Sequence, residues 1–359
     1  MADSENRDSD GRVAGRAGER NFEILARYAS LRPELEPRYL LQAAHLTTPA
    51  TVWKYAQKAA QSRAHLVMLD LEDSIPRGDV QALQAGRANV IRAFTDLDWG
   101  NKLRFFRPRG LALDPGFEDV IAVIRGAGDR VDGLVYPKVE SAEEVKSLDL
   151  TLEELERELG LAEGTFKVEV LIESVRAEQN LAEIAGASPR LIGLVFGAFD
   201  YWASLGIVSV PFRIDHPLLH DVRIRIVKAA SVAGIPAIAE MNFNYPTSDK
   251  TDEQKQAALD EFRADALMAR DLGFHGKWTG IPAQTAIALE VFGVPEELIA
   301  DALSQAREFL EAERKGRGAA MIGGIMVDRA VDRMNRNVLK MAYAMGRMDD
   351  ALARELGII

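Results

Sequence analysis

The segment FKVEVLIESVRAEQNLAEIAGASPRLIGLVFGAFD (residues 166–200) decides the fold class. It contains two short runs of mostly apolar residues, 166–172 and 191–196, separated by a stretch with helical spacing. This order predicts two parallel strands joined by a helix. Each run is followed closely by an acidic residue, Glu173 after the first and Asp200 after the second.

The same alternation continues in both directions along the chain. Runs rich in Val, Ile, Leu and Phe predict eight strands, at 38–43, 65–71, 103–106, 133–137, 166–172, 191–196, 236–241 and 276–281. After the first run, Thr48 is a predicted helix N-cap, with Pro49 at the first helical position. Eight strands alternating with helices predict an α/β fold, a parallel (β/α)8 TIM barrel. An open doubly wound sheet is the alternative, although no glycine-rich nucleotide-binding loop supports it.

Three regions are expected along the chain. Residues 1–20 are polar and predict a disordered tail, whereas 21–292 predict the TIM-barrel catalytic domain, beginning with a helix near 21–30. Residues 293–359 predict a C-terminal helical extension that acts as a lid or oligomerisation segment. Its helices are expected at 294–314 and 327–348, on either side of the Gly-rich break KGRGAAMIGG. The spacing of apolar residues in the last helix favours two arrangements equally. The helix either covers a neighbouring subunit or packs on its own barrel.

Composition excludes several classes of function. The 359 residues include 55 acidic and 44 basic side chains, and this net charge of −11 argues against a nucleic-acid-binding surface. No apolar run reaches the ~20 residues that a membrane span needs, and the first twenty residues lack a signal-peptide pattern. The chain has no cysteine, which excludes disulfides, thiolate metal sites and a cysteine nucleophile. We therefore expect a cytoplasmic protein with neither a nucleic-acid nor a membrane partner.

In a barrel of this type the active site lies at the carboxyl ends of the strands. Acidic residues follow five of the predicted strands: Asp70, Glu72, Asp73, Glu140, Glu173, Asp200 and Glu240. Acids this close repel one another unless a cation lies among them, so Glu173 and Asp200 are predicted to hold Mg²⁺ or Mn²⁺. Arg107 is predicted to stabilise an oxyanion, with a structural ion pair to Glu72 or Asp73 as the alternative. His45 is a weaker candidate for a base.

Several motifs resemble one known family. They are LDLEDSIP (69–76), LDWGNK (97–102), Arg107, YPKVES (136–141), IESVRAEQNLAEIAGASPR (172–190), FGAFDYWASLG (196–206) and GKWTGIPAQ (276–284). In order and spacing they resemble the HpcH/HpaI aldolase–citrate lyase superfamily, and most closely its CitE-like and malyl-CoA lyase branch. The resemblance covers roughly residues 35–345. It implies a Mg²⁺-dependent enzyme that cleaves or forms a carbon–carbon bond.

The resemblance also implies roles for individual residues. Glu173 and Asp200 would hold Mg²⁺ and through it the keto-acid half of the substrate, while Arg107 would stabilise the enolate of the acyl half. Three groups complete the implied site: Glu72 and Asp73, which organise Arg107 and metal-bound water; Lys138, which neutralises the acids; and Gly197, Ala198 and Phe199, which contact substrate. The family implies a homotrimer or homohexamer in which the C-terminal segment covers the next subunit's site.

The sequence also departs from the family pattern. Ala43-Ala44-His45-Leu46 replaces the Val-Pro-Gly after strand one, and Gly323 replaces the lid aspartate that protonates the enolate. Ala239 and Ile281 replace an Asp and a His. The prediction is therefore a Mg²⁺-dependent carbon–carbon lyase, or the reverse condensation, on a 3-hydroxyacyl-CoA such as malyl-CoA or citramalyl-CoA. The alternatives are a class II pyruvate-type 2-keto acid aldolase, an acyl-CoA thioesterase on the same site and, least favoured, a non-catalytic binding subunit.

Overall fold

A closed barrel of eight parallel strands forms the centre of the molecule. The structure, a computed structural model, describes residues 35–359, so the predicted tail at 1–20 and helix near 21–30 lie outside the described residues. The strands follow one another around the barrel in chain order: β1 (Ala44–Pro49), β2 (Leu66–Asp70), β3 (Leu103–Arg107), β4 (Gly133–Tyr136), β5 (Lys167–Ile172), β6 (Leu191–Phe196), β7 (Ala237–Ala239) and β8 (Gly276–Thr279). The predicted α/β TIM barrel is confirmed.

Helices connect the strands and continue beyond the last one. Up to β8 they are α1 (Pro37–Leu40), α2 (Trp53–Ala60), α3 (Val80–Asp96), α4 (Glu118–Ala127), α5 (Ala142–Leu159), α6 (Val175–Gln179), α7 (Leu181–Ala185), α8 (Ala198–Leu205), α9 (Pro217–Ala233) and α10 (Asp252–Asp271). After β8 follow α11 (Pro282–Val291), α12 (Glu296–Arg314), α13 (Arg329–Ala344) and α14 (Asp350–Glu355). Within residues 35–359, no helix is long and apolar enough to cross a membrane.

The core lies between the barrel wall and the surrounding helices. All residues of β2 and β6 are buried, as expected for parallel strands covered on both faces. Helix α4 buries Val120, Val123, Ile124 and Ala127, a helical spacing that directs one face toward the barrel. Each fully buried Val or Ile contributes about 1.5–3 kcal/mol, so this layer holds the strand ends rigidly.

The first strand is not where the apolar run predicted it. It spans Ala44–Pro49, whereas the predicted 38–43 overlaps helix α1. Thr48 and Pro49 belong to the strand and do not begin a helix; the next helix starts at Trp53. Pairing of β1 with both β2 and β8 closes the barrel. His45 consequently lies inside the strand and not after its end.

The C-terminal extension contains a β-hairpin in addition to its helices. Strands β9 (Ala319–Ile322) and β10 (Ile325–Asp328) pair antiparallel where a Gly-rich break was predicted. Gly323 and Gly324 form the two-residue turn with φ of 57° and 82°, the left-handed conformation that such hairpins require. The side chains of Met321, Ile325 and Met326 on this hairpin are exposed.

Candidate active site

A cavity of about 350 Å³ opens at the carboxyl ends of the strands. We call it the mouth cavity. Its charged lining comes from the ends of β2, β3, β5 and β6 and from the residues that follow them: Asp70, Asp73, Arg107, Glu173 and Asp200. These ends meet because β2, β3, β4, β5 and β6 pair side by side. The structure thus brings together these five residues of the strand-end pattern, whereas Glu140 lines an adjoining groove and Glu240 lies elsewhere.

Arg107 is held by three carboxylates. Its Nε donates to Asp70 Oδ1 at 2.7 Å, and its Nη1 lies 2.9 Å from Glu72 Oε2 and 3.4 Å from Asp73 Oδ2. Burial opposes the charge, but Asp70 and Glu72 raise the pKa of the guanidinium. The Arg107 side chain is therefore cationic and fixed in direction. It also lies over the ring of Trp278, with Cζ 5.5 Å from the ring centre.

Asp70 was selected as a strand-end acid but was given no role, although it positions Arg107 most directly. Its two carboxylate oxygens accept hydrogen bonds from the backbone N–H groups of Glu72 and Ser74. Burial alone would raise the pKa of this carboxyl, but Arg107 lowers it below its usual value. Asp70 and Arg107 are the last residues of β2 and β3 and stand opposite each other in the strand register. That register was the signal that could have indicated the pairing of Asp70 with Arg107.

Lys138 lies where three acids converge. Its Nζ is 2.9 Å from Asp200 Oδ2, 3.5 Å from Glu72 Oε1 and 3.8 Å from Glu173 Oε1. The backbone of Lys138 has φ of 56°, an uncommon value for a residue with a side chain, and its N–H donates to Glu173 Oε1 at 2.7 Å. Strained backbone of this kind persists where surrounding contacts enforce it, often at functional sites.

Two buried carboxyl groups at the mouth cavity, those of Glu173 and Glu72, have too little positive charge nearby to offset their burial. Burial raises the pKa of Glu173 to about 8, and attraction to Lys138 offsets this only in part. Burial likewise raises the pKa of Glu72 to about 7 despite Arg107 and Lys138. Carboxylate oxygens are the hard ligands that Mg²⁺ prefers, and a divalent cation would supply the positive charge that these two groups lack. Within residues 35–359, no group of three or more acidic or histidine side chains is arranged to hold a metal ion by itself.

Gly197 provides the space in which Glu173 lies. A Cβ atom on Gly197 would be 2.5 Å from Glu173 Cβ and 2.7 Å from Glu173 Oε2, closer than real Cβ contacts. Gly197 N–H also donates to Ile172 O, which ties the end of β6 to β5. Ala198 is buried beside it, and Phe199 lies at the rim of the mouth cavity. The three residues predicted to contact substrate therefore all line this cavity.

Apolar side chains also line the mouth cavity, and most of them were not predicted from the sequence. Met241, Phe243 and Tyr245 come from the loop after β7, and Trp278 comes from β8. We call these four residues the apolar wall. The loop residues belong to none of the recognised motifs, so only their spatial position identifies them.

Two sequence predictions about this end of the barrel are wrong. Glu240 does not join the mouth acids, because its carboxylate pairs with Arg223 on α9 and its backbone oxygen accepts from Lys277 Nζ. His45 does not face the mouth, because its Nδ1 lies 3.4 Å from Glu169 Oε2 inside the barrel. Burial lowers the pKa of His45 to about 3, so it is neutral near pH 7 and a poor proton donor.

Known proteins resemble this chain in sequence and in fold. The sequence profile of the HpcH/HpaI aldolase/citrate lyase family matches residues 46–280. The chain belongs to this family. The match begins in β1 and ends just after β8, so it includes every residue of the charged cluster described above.

Relatives in this family have lyase names. The L-malyl-CoA/beta-methylmalyl-CoA lyase of Cereibacter sphaeroides is 34% identical over 300 residues, which cover 80% of this chain and 90% of that protein. The citrate lyase subunit beta of Leuconostoc mesenteroides is 30% identical, covering 80% and 88%. The crystal structure of CitE from Mycobacterium tuberculosis in complex with magnesium, acetoacetate and coenzyme A superimposes with a TM-score of 0.59 at 26% identity, covering 84% and 97%. The predicted family and the predicted carbon–carbon lyase class are confirmed.

Proposed function

We propose that this protein cleaves, or in reverse forms, the carbon–carbon bond of a 3-hydroxyacyl-CoA such as malyl-CoA or citramalyl-CoA. The observation that carries the proposal is the convergence of Glu173 and Asp200 on one cation position, occupied here by Lys138 Nζ, beside a buried Arg107. The lyase names of the relatives support it.

Each residue has a distinct role in this proposal. Glu173 and Asp200 would hold Mg²⁺, or alternatively Mn²⁺, which when bound polarises the oxygens of the keto-acid half. Arg107 offers its guanidinium to the oxyanion of the acyl half, and Glu72 and Asp73 keep it aligned. As the carbon–carbon bond breaks, its electron pair moves onto the thioester as an enolate, the hydroxyl-bearing carbon becomes the carbonyl of the keto acid, and the hydroxyl proton passes to water.

The enolate must then gain a proton at carbon to give the acyl-CoA. Gly323 stands at the lid position and has no acidic group, while Asp328 caps α13 by accepting from the N–H groups of Ala330 and Val331. His45 is buried against Glu169. None of these three protein groups is free to deliver the proton, so we propose that it comes from water.

A second groove supports a thioester substrate over a free keto acid. The mouth cavity of about 350 Å³ is at the small end of ligand pockets and suits a small acid. An adjoining groove of about 920 Å³ shares Asp73 with the mouth cavity and has an apolar side that includes Ile75, Leu83 and Leu111. We propose that the groove takes the pantetheine arm, which favours the CoA lyase over the pyruvate-type aldolase.

The test is to incubate the protein with Mg²⁺ and malyl-CoA or citramalyl-CoA and to quantify acetyl-CoA, free CoA and keto acid separately. Equal amounts of acetyl-CoA and keto acid are expected. Free CoA without keto acid would support the thioesterase, and aldol turnover of keto acids with no thioester product would support the aldolase. Asp200→Ala should abolish the metal-dependent reaction, whereas Asp215→Ala, at an exposed acid after α8, should not.

We further propose a homotrimer or homohexamer in which the C-terminal extension covers the next subunit's site. The exposed Met321, Ile325 and Met326 of the hairpin support this, because clustered exposed apolar side chains mark contact surfaces. Met326→Asp should reduce the mass measured by light scattering, and an unchanged mass would count against the hairpin as an interface. The lid role of 293–359 and the cytoplasmic location stay predictions.

A further inference from the structure

Another large cavity lies at the end of the barrel opposite the mouth cavity. Its lining residues include His65, Lys102 and Asp132, which directly precede β2, β3 and β4. We call it the lower cavity. Its volume of about 820 Å³ is within the range of small-molecule sites. The chemistry of such barrels takes place at the carboxyl ends of the strands, so a ligand at this end would be bound and not converted.

The lower cavity is basic, although the chain as a whole is acidic. Two acidic side chains line it, Asp98 and Asp132, against five basic ones, whereas the whole chain has a net charge of −11. The five basic residues are Arg38, Arg63, Lys102, Arg104 and Arg130. Clefts lined by one sign of charge concentrate ligands of the opposite sign, so this cavity favours an anion.

Three of the five cations already lie near a carboxylate. Arg38 and Arg104 share Asp132, each at a distance of 2.7 Å. The Nε of Arg130 lies 4.0 Å from Asp129 Oδ1. The charge of these three side chains is therefore balanced, at least in part, within the protein itself.

Arg63 and Lys102 have no carboxylate partner among the described residues. The Nζ of Lys102 donates to the backbone oxygen of Trp99 at 3.3 Å, and no ion pair joins either cation to an acid of the described chain. The two residues lie on neighbouring segments, because the Leu103 N–H donates to His65 O at 2.9 Å where β2 and β3 begin. The cavity thus presents two unpaired positive charges from adjacent segments.

Apolar side chains line the lower cavity as well. Leu41, Phe94, Leu97 and Trp99 come from the barrel, and Tyr343 comes from the end of α13 in the C-terminal extension. A ligand would therefore contact both the barrel and the extension. Burial of an organic group against these side chains would add to the affinity for an anion attached to it.

We propose that the lower cavity binds a small organic phosphate, whose phosphate group contacts Arg63 and Lys102 and whose organic part contacts the apolar side chains. A phosphate monoester carries a charge of about −1.5 to −2 near pH 7, which these two cations balance. Guanidinium and ammonium groups are common partners of phosphate, whereas a single carboxylate would balance only one of them. The proposal goes beyond the proposed function and does not depend on it, because no residue of the mouth cavity takes part.

The test is a calorimetric titration of the full chain, without Mg²⁺, with phenyl phosphate as the probe. We expect phenyl phosphate to bind with a Kd at least tenfold lower than that of inorganic phosphate, which lacks the ring. Benzoate has the same ring but a single negative charge, and it should also bind at least tenfold more weakly. If either comparison ligand binds as tightly as phenyl phosphate, or if phenyl phosphate does not bind, the proposal is overturned.

Two charge reversals locate the bound phosphate. Arg63→Glu changes an exposed side chain and should weaken phenyl phosphate binding at least tenfold. Arg77→Glu is the matched control, because Arg77 is also exposed but lines the groove beside the mouth cavity. It should leave the affinity unchanged, and thermal unfolding shows whether both variants fold. Loss of affinity in Arg77→Glu, or unchanged affinity in Arg63→Glu, would place the phosphate elsewhere and overturn the proposal.

Discussion

Gly197→Ala tests whether the site depends on the close contact between the end of β6 and Glu173. The glycine has φ of −103°, a conformation that alanine adopts freely, so any effect comes from the added methyl group. That methyl would lie 2.5 Å from Glu173 Cβ and 2.7 Å from Glu173 Oε2. Glu173 Cβ is fixed to the backbone of the residue after β5, so it cannot rotate away.

The size of the effect follows from the overlap. An ordinary contact at a Cβ atom is 3.4–4 Å. The ends of β5 and β6 must therefore separate by roughly 1 Å, or the Glu173 carboxylate must turn. Overpacking of this kind costs about 1–3 kcal/mol, and the reduced freedom of the unfolded chain returns about 0.4–1 kcal/mol. We expect a net loss of about 1–2 kcal/mol of stability. Moving the Glu173 carboxylate, the proposed metal ligand, should also weaken metal affinity about 10–100-fold, the loss typical when the support of a ligand is disturbed.

Gly318→Ala is the matched control, because a Cβ there meets nothing within 4 Å and φ is not in the left-handed region. It shares the effect on the unfolded chain and should gain about 0.4–1 kcal/mol. Both variants are compared with the wild type by thermal unfolding and by Mn²⁺ titration. If Gly197→Ala proves as stable as Gly318→Ala and binds Mn²⁺ like the wild type, the tight packing described for Glu173 is wrong.

Three further results are expected. Mg²⁺ affinity, measured calorimetrically, should rise roughly tenfold per pH unit up to about pH 8 and then level off. The raised pKa of Glu173 keeps its carboxyl protonated below that pH, so a proton competes with the metal ion. An affinity that stays constant from pH 6 to 8 would contradict this. Gly323→Asp should raise the rate of acetyl-CoA formation, since aspartate tolerates the φ of 57° and has room there, whereas Gly318→Asp should not. Arg107→Lys should lower kcat by about 10²–10³, because lysine lacks the planar fork; an unchanged kcat would remove Arg107 from the chemistry.

Much of the fold could be predicted from the chain because the relevant interactions are local. Apolar runs bounded by helical stretches mark strands buried on both faces, and seven of the eight runs overlap the observed strands. Glu173, Asp200 and Arg107 could be selected because strand ends of a closed barrel share one rim. The first strand, AHLTTP, was missed because threonines and a proline interrupt its apolar character.

Other features depend on contacts between distant residues and leave no local pattern. Glu240 has the same strand-end position as Glu173, yet Arg223, seventeen residues earlier, turns its carboxylate toward α9. The apolar wall takes its residues from a loop and a separate strand, which only the folded barrel brings together. Gly323 and Gly324 suggested a break because glycines interrupt helices, but their positive φ values also suit a tight hairpin turn.

The central claim is that Glu173 and Asp200 bind the divalent cation on which the chemistry depends. The most direct measurement is electron paramagnetic resonance of Mn²⁺ titrated into the wild-type protein, Asp200→Ala and the exposed-acid control Asp215→Ala. We expect one bound Mn²⁺ per chain in the wild type and the control, and affinity at least 100-fold weaker in Asp200→Ala. Wild-type protein that binds no Mn²⁺, or Asp200→Ala that binds it equally well, would contradict the account.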